Sequence, residues 1–208
     1  GRNLIHYQIG VFNGQGINVK DVDQQKDVIG GLWVMPISGL RIGAFGWTGT
    51  YSRKGTWQTT TPEGNVVDKK GVRTLDRNRY AVSVEYAAND WTLRSEYVHS
   101  QGYGFKTTYQ DVDDATDCTI NTAAGDKADG LYALVIAPVV KKKFYLKARY
   151  DMYRPRAEWS TSKTQYEVGF NYDFHKNFRL SAEYAFVNDR SLKKSDYNMV
   201  DVEVDVRF

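Results

Sequence analysis

The last ten residues of the chain, MVDVEVDVRF, alternate without a break. Val200, Val202, Val204, Val206 and Phe208 fall on one side, and Asp201, Glu203, Asp205 and Arg207 on the other. A period of two is the mark of an extended strand lying between two different media. The same alternation recurs upstream. FRLSAEYAF sets Phe178, Leu180, Ala182, Tyr184 and Phe186 against Arg179, Ser181 and Glu183, and TQYEVGFNYDF sets Tyr166, Val168, Phe170, Tyr172 and Phe174 against Glu167, Gly169, Asn171 and Asp173. FYLKARYDM, RYAVSVEYA, WTLRSEY and NLIHYQIGVF behave likewise. Three further segments, DVIGGLWVMPI, LRIGAFGWTG and ADGLYALVIAPV, have apolar residues on both sides and read as strands by length and position. About ten strands of roughly 9–11 residues result, the length a tilted strand needs to cross a bilayer.

The connections carry a second regularity. Links near 13–26, 50–76, 101–127, 154–163 and 189–198 read as long, and the turns PISG (36–39), AAND (87–90), VVKKK (139–143) and HKN (175–177) as short. Long and short alternate, so all long links gather at one end. Short periplasmic turns and long extracellular loops are the habit of outer-membrane barrels. The expected fold is therefore all-β, an antiparallel up-and-down transmembrane β-barrel of about ten strands. Residues 1–208 make a single domain, with the terminal Phe208 in the aromatic girdle at the short-turn rim.

Composition fits this picture. Aromatics make up 14% of the chain and Tyr leads them with 15 copies; Tyr and Trp suit sites where one end is apolar and the other wet. Mean hydropathy is −0.56, as expected when half of each strand faces a polar interior. The longest apolar run, Ala133–Val140, is interrupted by Pro138 and falls far short of the roughly 20 residues of a membrane helix. Net charge is only +3, with no clustering of Lys and Arg that would mark a nucleic-acid binder. The single cysteine, Cys118, excludes an intrachain disulfide and a thiolate zinc site. No charged-then-apolar leader opens the chain at Gly1, so a secretory leader would already be removed.

If the apolar side meets lipid, the charged side lines a lumen. Alternation then turns Arg79, Arg94, Lys147, Arg149, Arg179 and Arg207 inward, together with Glu85, Glu96, Asp151 and Glu183. Glu167, Asp173, Asp201, Glu203 and Asp205 join them, so acids outnumber bases. Cations in a confined lumen lower the barrier to an anion, and Arg suits phosphate through its planar fork. The competing reading is that each Arg pairs with a neighbouring carboxylate and only satisfies the interior. Both stay open on the sequence.

The opening IHYQIGVFNGQGIN (Ile5–Asn18), the following KDVIGGL (Lys26–Leu32) and the closing strand ending in Phe208 resemble the phosphate-selective porin O and P family of Gram-negative outer membranes. The resemblance implies a non-enzymatic anion porin with no cofactor, usually sixteen-stranded and often a homotrimer, with outer-membrane lipids and small polar or anionic solutes as partners. Against sixteen strands, ten read as the C-terminal portion of a larger barrel. The family's constriction loop would then belong to the missing half.

Two other classes compete. A narrow, plugged structural or adhesive barrel would use its long links as a binding surface. An outer-membrane hydrolase would need an Asp/His pair at the long-link end, where only His99 sits; its near neighbour Glu96 is three residues away and so on the opposite face. The acidic run Asp111–Cys118 lacks the spacing of a calcium loop and reads as a solvated link, and no metal or catalytic residue is assigned. The stretch Thr56–Gly71 shows no clear periodicity and reads as a mobile loop.

Overall fold

The computed structural model describes residues 4–14, 21–107 and 117–207. Ten strands form one sheet: β1 (Ile5–Phe12), β2 (Asp27–Val34), β3 (Leu40–Thr60), β4 (Val66–Ala88), β5 (Trp91–Gln101), β6 (Lys127–Val140), β7 (Phe144–Arg154), β8 (Lys163–His175), β9 (Phe178–Asp189) and β10 (Asp196–Val206). Each strand pairs antiparallel with its sequence neighbour, giving the order β1 to β10. This is the up-and-down meander that the alternation predicts. Two 3-10 turns, Thr122–Ala124 and Trp159–Thr161, are the described helical pieces.

The pairing register keeps apolar residues on one face across strand boundaries. Tyr7 stands opposite Leu32, Val82 opposite Tyr97, Val168 opposite Tyr184 and Tyr184 opposite Val200. This face is open: Ile9 is 76% exposed and Val200 71%. Aromatic pairs mark its two ends. Tyr80 and Tyr97 (centroids 6.2 Å apart) and Tyr150 and Tyr166 (5.1 Å) lie toward the long links, whereas Phe144, Phe170, Tyr172, Phe174 and Phe178 cluster toward the short turns. Large apolar side chains left in the open across a whole sheet face need a non-aqueous neighbour, and ring belts at both ends of an apolar band are the membrane-interface arrangement.

The three segments with blurred alternation owe it to apolar residues on the polar face. Ile29 and Trp33 of β2, Phe45 and Trp47 of β3, and Leu134 and Ile136 of β6 all share that face. Their partners, among them His6, Ala81, Arg79, Arg94 and Lys147, show it. Their glycines make room for rings: a Cβ on Gly43 would lie 2.2 Å from Trp33 Cδ1.

One expectation fails. Residues 50–76 are not a long loop. β3 and β4 run on as a 21- and a 23-residue strand, paired in unbroken register from Leu40↔Tyr86 to Thr60↔Val66. The connection is only the tight turn 61–65, where Gly64 takes a positive φ of 88° and donates its N–H to the Thr61 carbonyl. Thr, Val, Trp and Tyr favour extended backbone, and TPEGN supplies the turn. The strands therefore project beyond the bilayer-spanning length instead of ending there. The other short turns lie where expected, with Asn89 and Asp90 both at positive φ (55° and 66°), the conformation of a two-residue hairpin loop.

β1 and β10 are the two outer strands of the sheet, and no ladder joins them among the described residues. Residues on both of their faces are exposed, unlike the interior strands. Phe208 and the tip of the β5–β6 link lie outside the described residues.

Candidate functional site

Every sequence-derived lumen candidate lies on the polar face, but these residues divide sharply by partner. Arg94 on β5 donates through Nε and a terminal nitrogen to Glu85 on β4 (3.2 and 3.0 Å). Arg149 forks the Asp151 carboxylate two residues along its own strand, with both contacts at 2.7 Å. Arg179 forks Asp173 across β8–β9 (2.6 and 3.0 Å). Arg207 reaches Asp205 at 2.8 Å. Lys147 on β7 reaches over β8 to Glu183 on β9 at 2.6 Å; the residue between them is Gly169, where a Cβ would sit 2.9 Å from Glu183 Cγ. Glu96 lies between Ser83 and Tyr132 in the same row. The two-point forks of Arg149 and Arg179 hold both groups in one geometry. Each joins residues within three adjacent strands, so they brace the wall and do not bridge across the interior.

The sixth cation is different, and it belongs to a set that periodicity did not reveal. Arg79 lies with its guanidinium 4.4 Å from the centre of the Trp47 ring. On the same face Arg77 lies over Tyr51 (4.4 Å), Arg41 over Trp33 (5.0 Å) and Arg73 over Trp57 (5.4 Å). Among the described residues no carboxylate stands within ion-pair distance of these four. They form a stripe up the β3–β4 wall, on odd-numbered positions throughout. Two acids border it among the described residues: Glu85 stands opposite Arg41 but is taken by Arg94, and Asp27 is buried and already engaged, accepting from Trp47 Nε1 (2.7 Å) and from the Thr50 amide (2.9 Å). That contact holds the Trp47 ring on which Arg79 rests. Gly49 makes the approach possible, since a Cβ there would lie 1.9 Å from Asp27 Oδ1. A guanidinium stacked on a ring keeps its in-plane N–H donors free for an oxyanion.

The β5–β6 link lies over the upper part of this stripe. Residues 104–106 and 119–121 pair with each other through Lys106 N–H to the Thr119 carbonyl and Asn121 N–H to the Gly104 carbonyl (2.8 Å each). The doubled strip crosses the polar face of β4 and β3. Phe105 packs on Tyr51 at 5.4 Å and beneath the Arg53 guanidinium at 4.5 Å. Arg53 donates to the Thr107 carbonyl (2.8 Å) and Arg73 to the Cys118 carbonyl (2.9 Å). The strip then reaches the far edge of β3, beyond Thr48 where β2 stops pairing, and the Cys118 amide bonds to the Thr56 carbonyl at 2.8 Å. Asp117 is fixed by the Thr119 amide and hydroxyl (2.8 and 2.6 Å), which hold its carboxyl below the usual range. Burial pushes the Cys118 thiol up. A link folded onto the polar face is thus present in this chain. Residues 111–116 of the acidic run lie outside the described residues.

His99 does have an acid across the strand boundary: Asp129 stands directly opposite it. Both lie on the apolar face. Asp129 is committed to Arg154 Nε (2.7 Å) and the Tyr97 hydroxyl (3.1 Å), and His99 stacks against Tyr80 at 5.1 Å. No hydroxyl or thiol bonds to His99 among the described residues. No group of three metal-ligating side chains is found there either.

No known family model matches the chain, and no curated protein does. Among solved structures the chain is similar to in-vitro folded OmpT, an outer membrane protein of Vibrio cholerae, with a TM-score of 0.50 and 16% identity over 96% of this chain and 56% of that one. A second structure, outer-membrane expressed OmpT of Vibrio cholerae, gives 0.43 and 13% over 90% and 67% of the two chains. The chain therefore spans little more than half the length of the first of these. Its fold is that of the outer-membrane β-barrels of Gram-negative bacteria: the apolar face is the outside of the wall, and the polar face, with its arginine stripe and folded link, is the inside.

Proposed function

We propose that the chain forms the wall of an outer-membrane porin in a Gram-negative bacterium and passes small polar or anionic solutes, phosphate among them. The observation that carries this reading is the stripe of Arg41, Arg73, Arg77 and Arg79, cationic on the interior face and lacking carboxylate partners among the described residues. Cations that serve only to neutralise an interior end up forked by acids, as Arg149 and Arg179 do. Stacked on rings, these four keep their charge on the interior side; Arg73 gives one nitrogen to the Cys118 carbonyl and Arg79 its Nε to the Ser100 hydroxyl, with the remaining donors left over, and such a row lowers the barrier for an anion along its length. The link held by Arg53 and Arg73 narrows the passage beside the stripe. In this reading His99 and Asp129 stand on the lipid side, with Asp129 held by Arg154 and Tyr97.

The edges of β1 and β10, which no ladder joins among the described residues, favour a wall larger than ten strands. Unpaired N–H and C=O groups along an edge cost several kcal/mol each in hydrocarbon, so an open sheet does not persist in a bilayer. Eight or so strands enclose a lumen that side chains fill, whereas sixteen to eighteen leave a water channel. In this reading further strands between β10 and β1 complete the barrel, and the present ten carry its basic side.

Planar-bilayer recording tests the proposal. The parent barrel should conduct with a preference for anions. Arg77→Glu with Arg79→Glu should reverse or abolish that preference, and Arg149→Glu should change it far less. Absence of current, or equal effects of the two variants, contradicts the reading.

A further inference from the structure

The four short turns share one end of the sheet but not one chemistry. The turns 35–39 and 89–90 contain no basic residue, whereas 141–143 is Lys-Lys-Lys and 175–176 is His-Lys. The two basic turns are brought together. The Asp173 amide bonds to the Lys143 carbonyl at 2.8 Å, and the Arg207 amide to the Asn177 carbonyl at 2.9 Å. Together they border a cavity of about 360 Å³ that wraps the rim, from the interior-face pairs Arg179–Asp173 and Arg207–Asp205 to Phe174 and Phe178 of the apolar face. Of its five permanent cations, Arg179 and Arg207 are neutralised by Asp173 and Asp205. Lys142, Lys143 and Lys176 have no carboxylate within ion-pair distance among the described residues.

Directly beside these lysines the apolar face carries its densest ring cluster. Phe174 is 4.6 Å from Tyr172 and 5.1 Å from Phe178, centre to centre. Phe174 remains 56% exposed. Lys143 Nζ stands 5.7 Å over the Tyr172 ring, at the seam between the ring platform and the basic turns. Three ammonium groups at the edge of an apolar platform match an anionic headgroup whose acyl chains run up the platform. A freely diffusing anion would have no use for the rings.

We propose that this sector of the rim is a binding site for an anionic phospholipid of the phosphatidylglycerol class, in the leaflet that faces the short turns. Lys142, Lys143 and Lys176 hold the phosphate, and Phe174 and Phe178 hold the acyl chains. Basic pockets at a membrane surface recognise headgroups in this way. The site rests on the membrane placement proposed above but not on conduction.

Native mass spectrometry of the protein released from bilayers of phosphatidylglycerol and phosphatidylcholine with matched chains is the test. One phosphatidylglycerol should be retained in preference to phosphatidylcholine. Lys142→Gln, Lys143→Gln and Lys176→Gln together should weaken retention, at roughly fivefold per lysine, by on the order of a hundredfold. The triple arginine variant should keep it, and millimolar glycerol phosphate should not displace it. Equal retention of both lipids, retention by the glutamine variant, or displacement by glycerol phosphate overturns the proposal, the last by making it a solute site. The anion preference of conductance should be the same in the glutamine variant, so a failed channel reading and a failed lipid site give different results.

Discussion

Asp27 shows how much one residue can set. Its carboxylate holds the Trp47 indole and caps the Thr50 amide at the point where β2 stops pairing with β3. Trp47 in turn carries Arg79. Asp27→Ala leaves two donors unpaired at a buried site, at about 1–3 kcal/mol each, so urea unfolding followed by tryptophan fluorescence should show a loss of about 2–6 kcal/mol. The same variant should also weaken anion preference by freeing the Trp47 ring. An unchanged midpoint contradicts the role. Period-two alternation turned Arg79 inward correctly but gave no sign of its partner. The pairs Arg149–Asp151 and Arg207–Asp205 were within reach of the sequence, because residues two apart in a strand share a face. Arg77 and Arg73 were legible in principle: they continue the odd-numbered row of Arg79, Ala81 and Ser83. Arg73 is hidden by the reading of 50–76 as a loop, and Arg77 falls between that link and the strand that begins at Arg79. The aromatic partners come from the neighbouring strand, and only the register supplies them.

At the scale of elements, clean alternation was enough wherever the interior side is polar, as in β4 and β7 to β10. It failed to give a face where the interior carries rings, as with Trp33, Phe45 and Trp47, since apolar residues on both sides leave no period to read. The folded link was beyond the sequence altogether. Its anchors, Arg53 and Arg73, face each other across β3–β4, an arrangement of like charges that is unfavourable by itself and is offset here by two backbone carbonyls of the link. Arg53→Ala with Arg73→Ala should release the strip. Protease added from the long-link side should then cut within 105–120 many times faster than in the unaltered protein, and single-channel conductance of the parent barrel should rise. Equal cleavage rates would show that the arginines do not hold the link.

For the whole molecule, the account depends on which medium meets each side of the sheet. The alternation and the gathering of longer links at one end made the architecture legible, because a wall between lipid and water imposes the same rule on every strand. The number of strands that complete the wall was not legible, since the rule is local and repeats identically in a barrel of any size. The most direct test is spin labelling along β4 in bilayers, at positions 80 to 85 in turn. Labels at Tyr80, Val82 and Val84 should be open to oxygen dissolved in the hydrocarbon and closed to a water-soluble nickel complex, and labels at Ala81, Ser83 and Glu85 should show the reverse. Accessibility without a period of two, or the nickel complex reaching Val82 and Val84, would contradict a transmembrane wall.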